Sequence, residues 1–261
     1  MAKKNFIAVL QTADSLIVED STKKKWTISS VFAILNSNSL TKSSPITNAL
    51  NENPMQGNYT FSYGIKIGYQ LNSKWSLQSG VHLQKMSFIT KNVAVVSGVS
   101  QSNIETINFN NAASYSFLNS NSSSNLVDIS DFGSDAVAVS NSAQLEQVFG
   151  YIEVPFEIKY HLTKNKKLTT SLIAGFSSLF LTTNEIAIKN TGSSPIFGQV
   201  NNLNSVNFSG NFGLDIDYRI NNQWILTINP MGKVQLNTFS KNSNRFKPYS
   251  IGFYTGVKYQ F

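Results

Sequence analysis

Cysteine is absent from the 261 residues, which excludes disulfides and thiolate metal sites. Charge is scarce as well: Asp, Glu, Lys and Arg make up 13% of the chain, about half the usual share for a soluble protein. No apolar run approaches the ~20 residues a transmembrane helix needs. Phe6 to Leu10 is apolar but far too short for the core of a secretory signal, and no small-residue cleavage site follows it. The expectation is therefore a fragment, a mature form carrying an added Met, or the C-terminal part of something longer. Histidine occurs twice, at His82 and His161, and no His/carboxylate cluster has metal-ligand spacing.

What the chain does have is an unusual mixture. Hydrophobic residues reach 41% and aromatics 12%, beside abundant Asn and Ser. This is too polar for helical membrane spans and too weakly charged for an ordinary soluble surface. A barrel with a lipid-facing apolar wall and a polar interior has this composition. The net charge of +7 owes much to Lys3, Lys4, Lys23, Lys24 and Lys25. Residues 1–25 read as a flexible periplasmic linker touching anionic lipid or peptidoglycan. Nothing joins that basic stretch to a recognition helix, so no nucleic-acid partner is expected.

An internal repeat carries the topology. Four segments share one alternating pattern: Ile65 to Leu71, Phe156 to Leu162, Leu214 to Ile220, and Thr255 to Phe261. Period-two alternation is the strand signal. The first three are followed by brief polar turns, at Asn72 to Lys74, Thr163 to Lys167 and Asn221 to Gln223, and then by further alternating runs. Eight strands are predicted, over 26–35, 58–71, 75–90, 147–162, 168–184, 204–220, 224–236 and 249–261. Each is long enough to cross a bilayer at a tilt, for which ~9–11 residues suffice. Every second connection is short, and the others, including a long loop over 91–146, are extended. That asymmetry predicts an all-β, eight-stranded, up-and-down antiparallel transmembrane barrel over 26–261, with short periplasmic turns, long extracellular loops and both termini in the periplasm.

The phase of the alternation assigns the two faces. Outward go Ile65, Ile67, Tyr69 and Leu71 with their counterparts through Val257, Tyr259 and Phe261. Trp26, Trp75 and Trp224 open upward strands, while Tyr69, Tyr160, Tyr218 and Tyr259 nearly close downward ones. These seven form an aromatic girdle at one membrane interface. Inward go Lys66, Glu157, Lys159, Asp215, Asp217 and Lys258, three basic and three acidic. Buried charges are costly unless paired, and an eight-stranded bore is only wide enough for side chains, so these six predict an ion-pair plug. Phe261, an aromatic ending an alternating strand, resembles the signal read by the outer-membrane insertion machinery.

Catalysis finds little support. His82 is placed in mid-lumen and His161 at the periplasmic end, on different levels and without an obvious nucleophile. Neither a catalytic residue nor a cofactor is expected. Gly64, Gly68, Gly80, Gly175, Gly210, Gly213 and Gly256 read as relief for curvature and crowded packing, and Pro155 and Pro230 as bulges or rim positions. The Ser- and Asn-rich loop 91–146 reads as a solvated surface loop, with a ligand site there as the alternative.

The segments VFGYIEVPFEIKYHLTKNKKL, IAGFSSLFLTTNEI, NFGLDIDYRINNQW and FKPYSIGFYTGVKYQF resemble the Bacteroidota-type outer-membrane β-barrel proteins, the PorT-like or OmpA-like small barrels. Within that group the chain looks most like the C-terminal barrel of dual-membrane-spanning anti-sigma proteins. The resemblance covers about 200 residues and implies a Gram-negative outer membrane. Three functions follow as expectations. The first is a non-enzymatic membrane anchor, sensor or partner-binding subunit; the second is the terminal barrel of an anti-sigma protein regulating transcription; the third is a small porin or a lipocalin-like ligand carrier. The expected partners are outer-membrane lipid, the barrel insertion machinery and other envelope proteins.

Overall fold

The computed structural model describes residues 25–99, 107–110, 115–120, 137–189, 196–240 and 246–261. The proposed linker 1–25, apart from Lys25, lies outside them, as do Glu105, Asp128, Asp131 and Asp135 of the long loop. Eight principal strands are present: β1 (Trp26–Ser39), β2 (Tyr59–Gln70), β3 (Trp75–Ser97), β4 (Val137–Lys164), β5 (Leu168–Lys189), β6 (Val206–Arg219), β7 (Trp224–Gln235) and β8 (Pro248–Gln260). Each pairs antiparallel with its sequence neighbours, β8 pairs with β1, and the ring is closed without an edge. Closure gives every strand two paired neighbours, which is how a sheet meets the demand for backbone hydrogen bonds in lipid.

Two of the three short turns share a device. Asn72 Oδ1 accepts from the backbone N–H groups of Lys74 and Trp75 at 2.8 and 2.9 Å. Asn221 Oδ1 does the same for Gln223 and Trp224 at 2.9 and 2.8 Å. An Asn side chain mimicking the backbone is a favoured way to start a turn, and here it fixes the register of two hairpins. The prolines do not make bulges. Around Pro155 the β3–β4 pairing skips from Ser79↔Phe156 to His82↔Glu153 in unchanged register, and around Pro230 the β6–β7 pairing behaves likewise. A missing N–H removes ladder bonds locally without displacing the strand.

The wall is apolar all the way round. Exposed side chains include Phe32 on β1, Phe61 and Ile65 on β2, Leu83 on β3, Phe156 on β4, Phe176 on β5, Phe212 on β6, Ile228 on β7 and Phe253 on β8. Phe212 and Phe253 are each 65% exposed. Soluble proteins rarely expose apolar patches beyond a few hundred Å². On β3 this wall runs from Trp75 to the exposed Lys85. Ten residue steps at ~3.3 Å, tilted by ~40°, rise about 25 Å, the height of a transmembrane barrel's apolar band. The fold is an eight-stranded transmembrane β-barrel.

Beyond that band the barrel differs from expectation. β3 continues past Thr90 to Ser97 and β4 begins at Val137, so the ladder invades both ends of the expected loop 91–146. The pairing there shifts register between Thr90 and Val96. Asn92 takes a left-handed φ of 57°, and the Asn53 side chain ties down the carbonyls of Lys91 and Asn92. Such bulges bend a ladder. Above the barrel the extension encloses an apolar core of Met86, Phe88, Val95, Phe117, Leu145, Phe149 and Ile186. Ile46, Leu50 and Phe246, from two other connections at this end, pack into it. The described part of the loop is therefore in part a buried cap. Its Ser/Asn content hid a short strand, Tyr115–Asn119, that pairs with β3.

Candidate functional site: the charged lumen and its lower mouth

Inward positions of the lower barrel are occupied by long polar side chains, and glycine makes room for three of them. Lys66 stands opposite Gly80, His82 opposite Gly64, and Glu157 opposite Gly175. A Cβ at Gly64 would lie 2.7 Å from the His82 ring, and one at Gly175 would lie 2.9 Å from Glu157 Cγ.

All six predicted lumen charges face the interior, in two groups, and each meets an opposite charge. Asp215, buried, accepts from Lys258 Nζ at 2.9 and 3.1 Å, from Thr227 Oγ1 at 2.8 Å, and from Lys159 and Asn229. Lys258 also donates to Asp217 at 2.5 Å. Glu157 accepts from Gln78 at 2.5 Å, Asn211 at 3.1 Å and Lys66 at 3.3 Å. Buried carboxylates are tolerated when several charge-assisted hydrogen bonds replace water, which is the case here.

A further charged level escaped the sequence reading. Glu153, fully buried, accepts from Lys233 Nζ at 2.6 and 2.7 Å, from Ser177 Oγ at 2.5 Å, and meets His82 Nδ1 at 3.4 Å. Lys233 also lies over the Tyr254 ring, 4.7 Å from its centroid. Asn211 links this level to the one below by donating to both Ser177 and Glu157. The signal existed: Glu153 has the inward parity of Glu157, and Lys233 that of Thr227. Both lie outside the four-fold repeat. With this pair the network holds four lysines and four carboxylates, still balanced.

His161 corrects another expectation, because it does have hydroxyls beside it. Its Nε2 lies 2.8 Å from Ser76 Oγ and its Nδ1 2.8 Å from Ser171 Oγ. Ser76 and His161 line a cavity of about 80 Å³ at the mouth where the short turns and the chain terminus lie. A neutral imidazole can donate from one nitrogen and accept at the other, so two hydroxyls satisfy the ring.

The expected girdle residues stand at this same end. Trp26, Trp75 and Trp224 face Tyr69, Tyr160 and Tyr259 directly across their strand pairs, with ring centroids 4.7, 4.7 and 5.0 Å apart. Tyr218 is exposed between Leu168 and Leu226. Phe261 is exposed, stacks on Tyr259 at 6.2 Å, and exchanges two backbone hydrogen bonds with Trp26 at the β8–β1 seam.

No protein-family model matches the sequence, and no curated protein matches it. Among solved structures, the chain is similar to Neisserial surface protein A, at 12% identity over 90% of this chain and 97% of that one, with a TM-score of 0.43. It is also similar to the outer membrane protein OprG of Pseudomonas aeruginosa, at 11% identity over 91% and 96%, with a TM-score of 0.44. The attachment invasion locus protein Ail of Yersinia pestis gives 10% identity over 92% and 100%, with a TM-score of 0.40. The barrel assignment stands on the strand pairing and apolar wall described above.

Proposed function

We propose that this chain is a non-enzymatic outer-membrane barrel with a plugged lumen, acting as an anchor, sensor or partner-binding subunit. The observation that carries the reading is a charge-balanced set of cross-strand ion pairs in the lumen, surmounted by an apolar core. A small porin needs a continuous wet path, and a lipocalin-type carrier needs a largely apolar lumen; charged, mutually bonded side chains suit neither. In this reading the short-turn end and both termini face the periplasm, the capped end faces outward, and outer-membrane lipid, insertion machinery and envelope proteins are the partners. Planar-bilayer recordings should show no steady conductance from the unmodified barrel. A stable, ion-selective open current would overturn the plug. The terminal barrel of an anti-sigma protein is a second reading, motivated by the resemblance of the strand segments, and the gene's upstream sequence tests it.

A further inference from the structure

We infer that the cavity at the short-turn mouth is a binding site for a small oxyanion, a phosphate group or a carboxylate end. Its lining carries five cationic side chains, Lys25, Lys66, Lys159, Arg219 and Lys258, against two carboxylates, Asp215 and Asp217. Even with Glu157, which Lys66 meets, the cations lead by five to three.

The hydrogen bonding sharpens that excess. The buried acceptors are well supplied: Asp215 takes bonds from four side chains and Glu157 from three, while the partly exposed Asp217 takes one, from Lys258. The donors are less fully used. Among the described residues Lys159 donates to Asp215 alone and Lys66 to Glu157 alone, although an ammonium carries three N–H groups. Both lysines are more than nine-tenths buried and line the cavity. The Arg219 guanidinium spends one donor on Gln260, at 3.1 Å, and Lys25 stands at the rim. Unspent N–H donors on buried cations, in a cavity of about 80 Å³, suit one small group bearing several acceptor oxygens. Low-dielectric walls around the opening strengthen the attraction. The site is independent of whether the lumen above conducts.

The test uses the folded barrel in detergent micelles, titrated by calorimetry with inorganic phosphate, with acetate, and with sodium chloride at matched ionic strength. Saturable heat with phosphate or acetate, absent with chloride, is expected, and the stronger of the two identifies the group. Arg219→Gln and Lys25→Gln, which leave the lumen ion pairs intact, should together weaken binding by about tenfold or more, the equivalent of one lost charged hydrogen bond. Phosphate and acetate heats no different from chloride, or binding unchanged in the double variant, would overturn the assignment.

Discussion

Asp215 is the residue on which the lower lumen depends most. Replacing it with Ala removes the acceptor of two lysines and of the Thr227 and Asn229 side chains. Lys258 keeps Asp217, at 2.5 Å, and so retains a partner. Among the described residues Lys159 keeps no hydrogen-bonded carboxylate, although its side chain is only 9% exposed. Breaking a buried pair on one side costs about 3–5 kcal/mol, most of it from the stranded charge. Lys159 also lines the lower cavity, where water can reach it, so a loss near about 3 kcal/mol is expected. Asp217→Ala is the control. Its carboxylate is 18% exposed and its partner Lys258 still holds both oxygens of Asp215, so the loss should stay within about 1 kcal/mol. Adding Lys159→Met to Asp215→Ala should recover stability, because the stranded charge is then gone. Urea unfolding in liposomes gives all of these differences. Equal losses at Asp215 and Asp217, or no recovery in the double variant, would refute the network as the element holding the lumen together.

Three further outcomes are expected. Ile67→Arg, on the exposed wall, should destabilise the barrel by about 2–4 kcal/mol near the midplane, and Ile216→Arg similarly; liposome unfolding that registers no cost at either site would reverse the assignment of faces. Deleting Phe261 should lower membrane insertion in cells more than refolding into detergent, whereas equal losses would leave it only its packing on Tyr259 and its seam bonds to Trp26. Glu146 stands beyond the apolar band; burial alone would raise its pKa, but hydrogen bonds from Ser87 and Asn58 and the Lys189 ammonium hold it below the ordinary carboxylate value. A depressed carboxyl contributes fully above its unfolded pKa of about 4.3 and loses that contribution as pH falls through the folded value, so Glu146→Gln should flatten part of the acid-side fall in the urea midpoint, and parallel profiles would refute this.

The parts of the barrel that were legible in the sequence are those where one physical demand dominates each position. In the membrane band every residue faces either lipid or lumen, so period-two alternation survives from Ile65 to Leu71 and from Phe156 to Leu162, and the inward charges can be read by parity. Above the band that demand lapses. From Phe88 to Thr90 and from Val93 to Val96 consecutive residues of β3 are buried whichever face they point to, and the bulge at Asn92 shifts the phase. A strand buried on both sides has no alternation to detect. This is why β3 was expected to stop at Thr90 and why the apolar cap was read as a solvated loop.

The charges show a second limit, which bears on function. Parity places Lys66, Glu157 and Asp215 inside but says nothing about partners, because these are fixed by strands distant in sequence: Lys66 meets Glu157 across 91 residues and Lys233 meets Glu153 across 80. Counting signs predicts balanced lumen charges, and the ion-paired side chains comprise four lysines and four carboxylates. The count omitted Lys25 and Arg219, which stand at strand ends and turn the lower mouth basic while the interior stays balanced. The lumen charges thus balance in sign, whereas the lining of the lower mouth carries more cations than carboxylates. Position in the strand therefore separates two groups of charges: those facing the lumen meet opposite charges on other strands, and those at strand ends line the mouth.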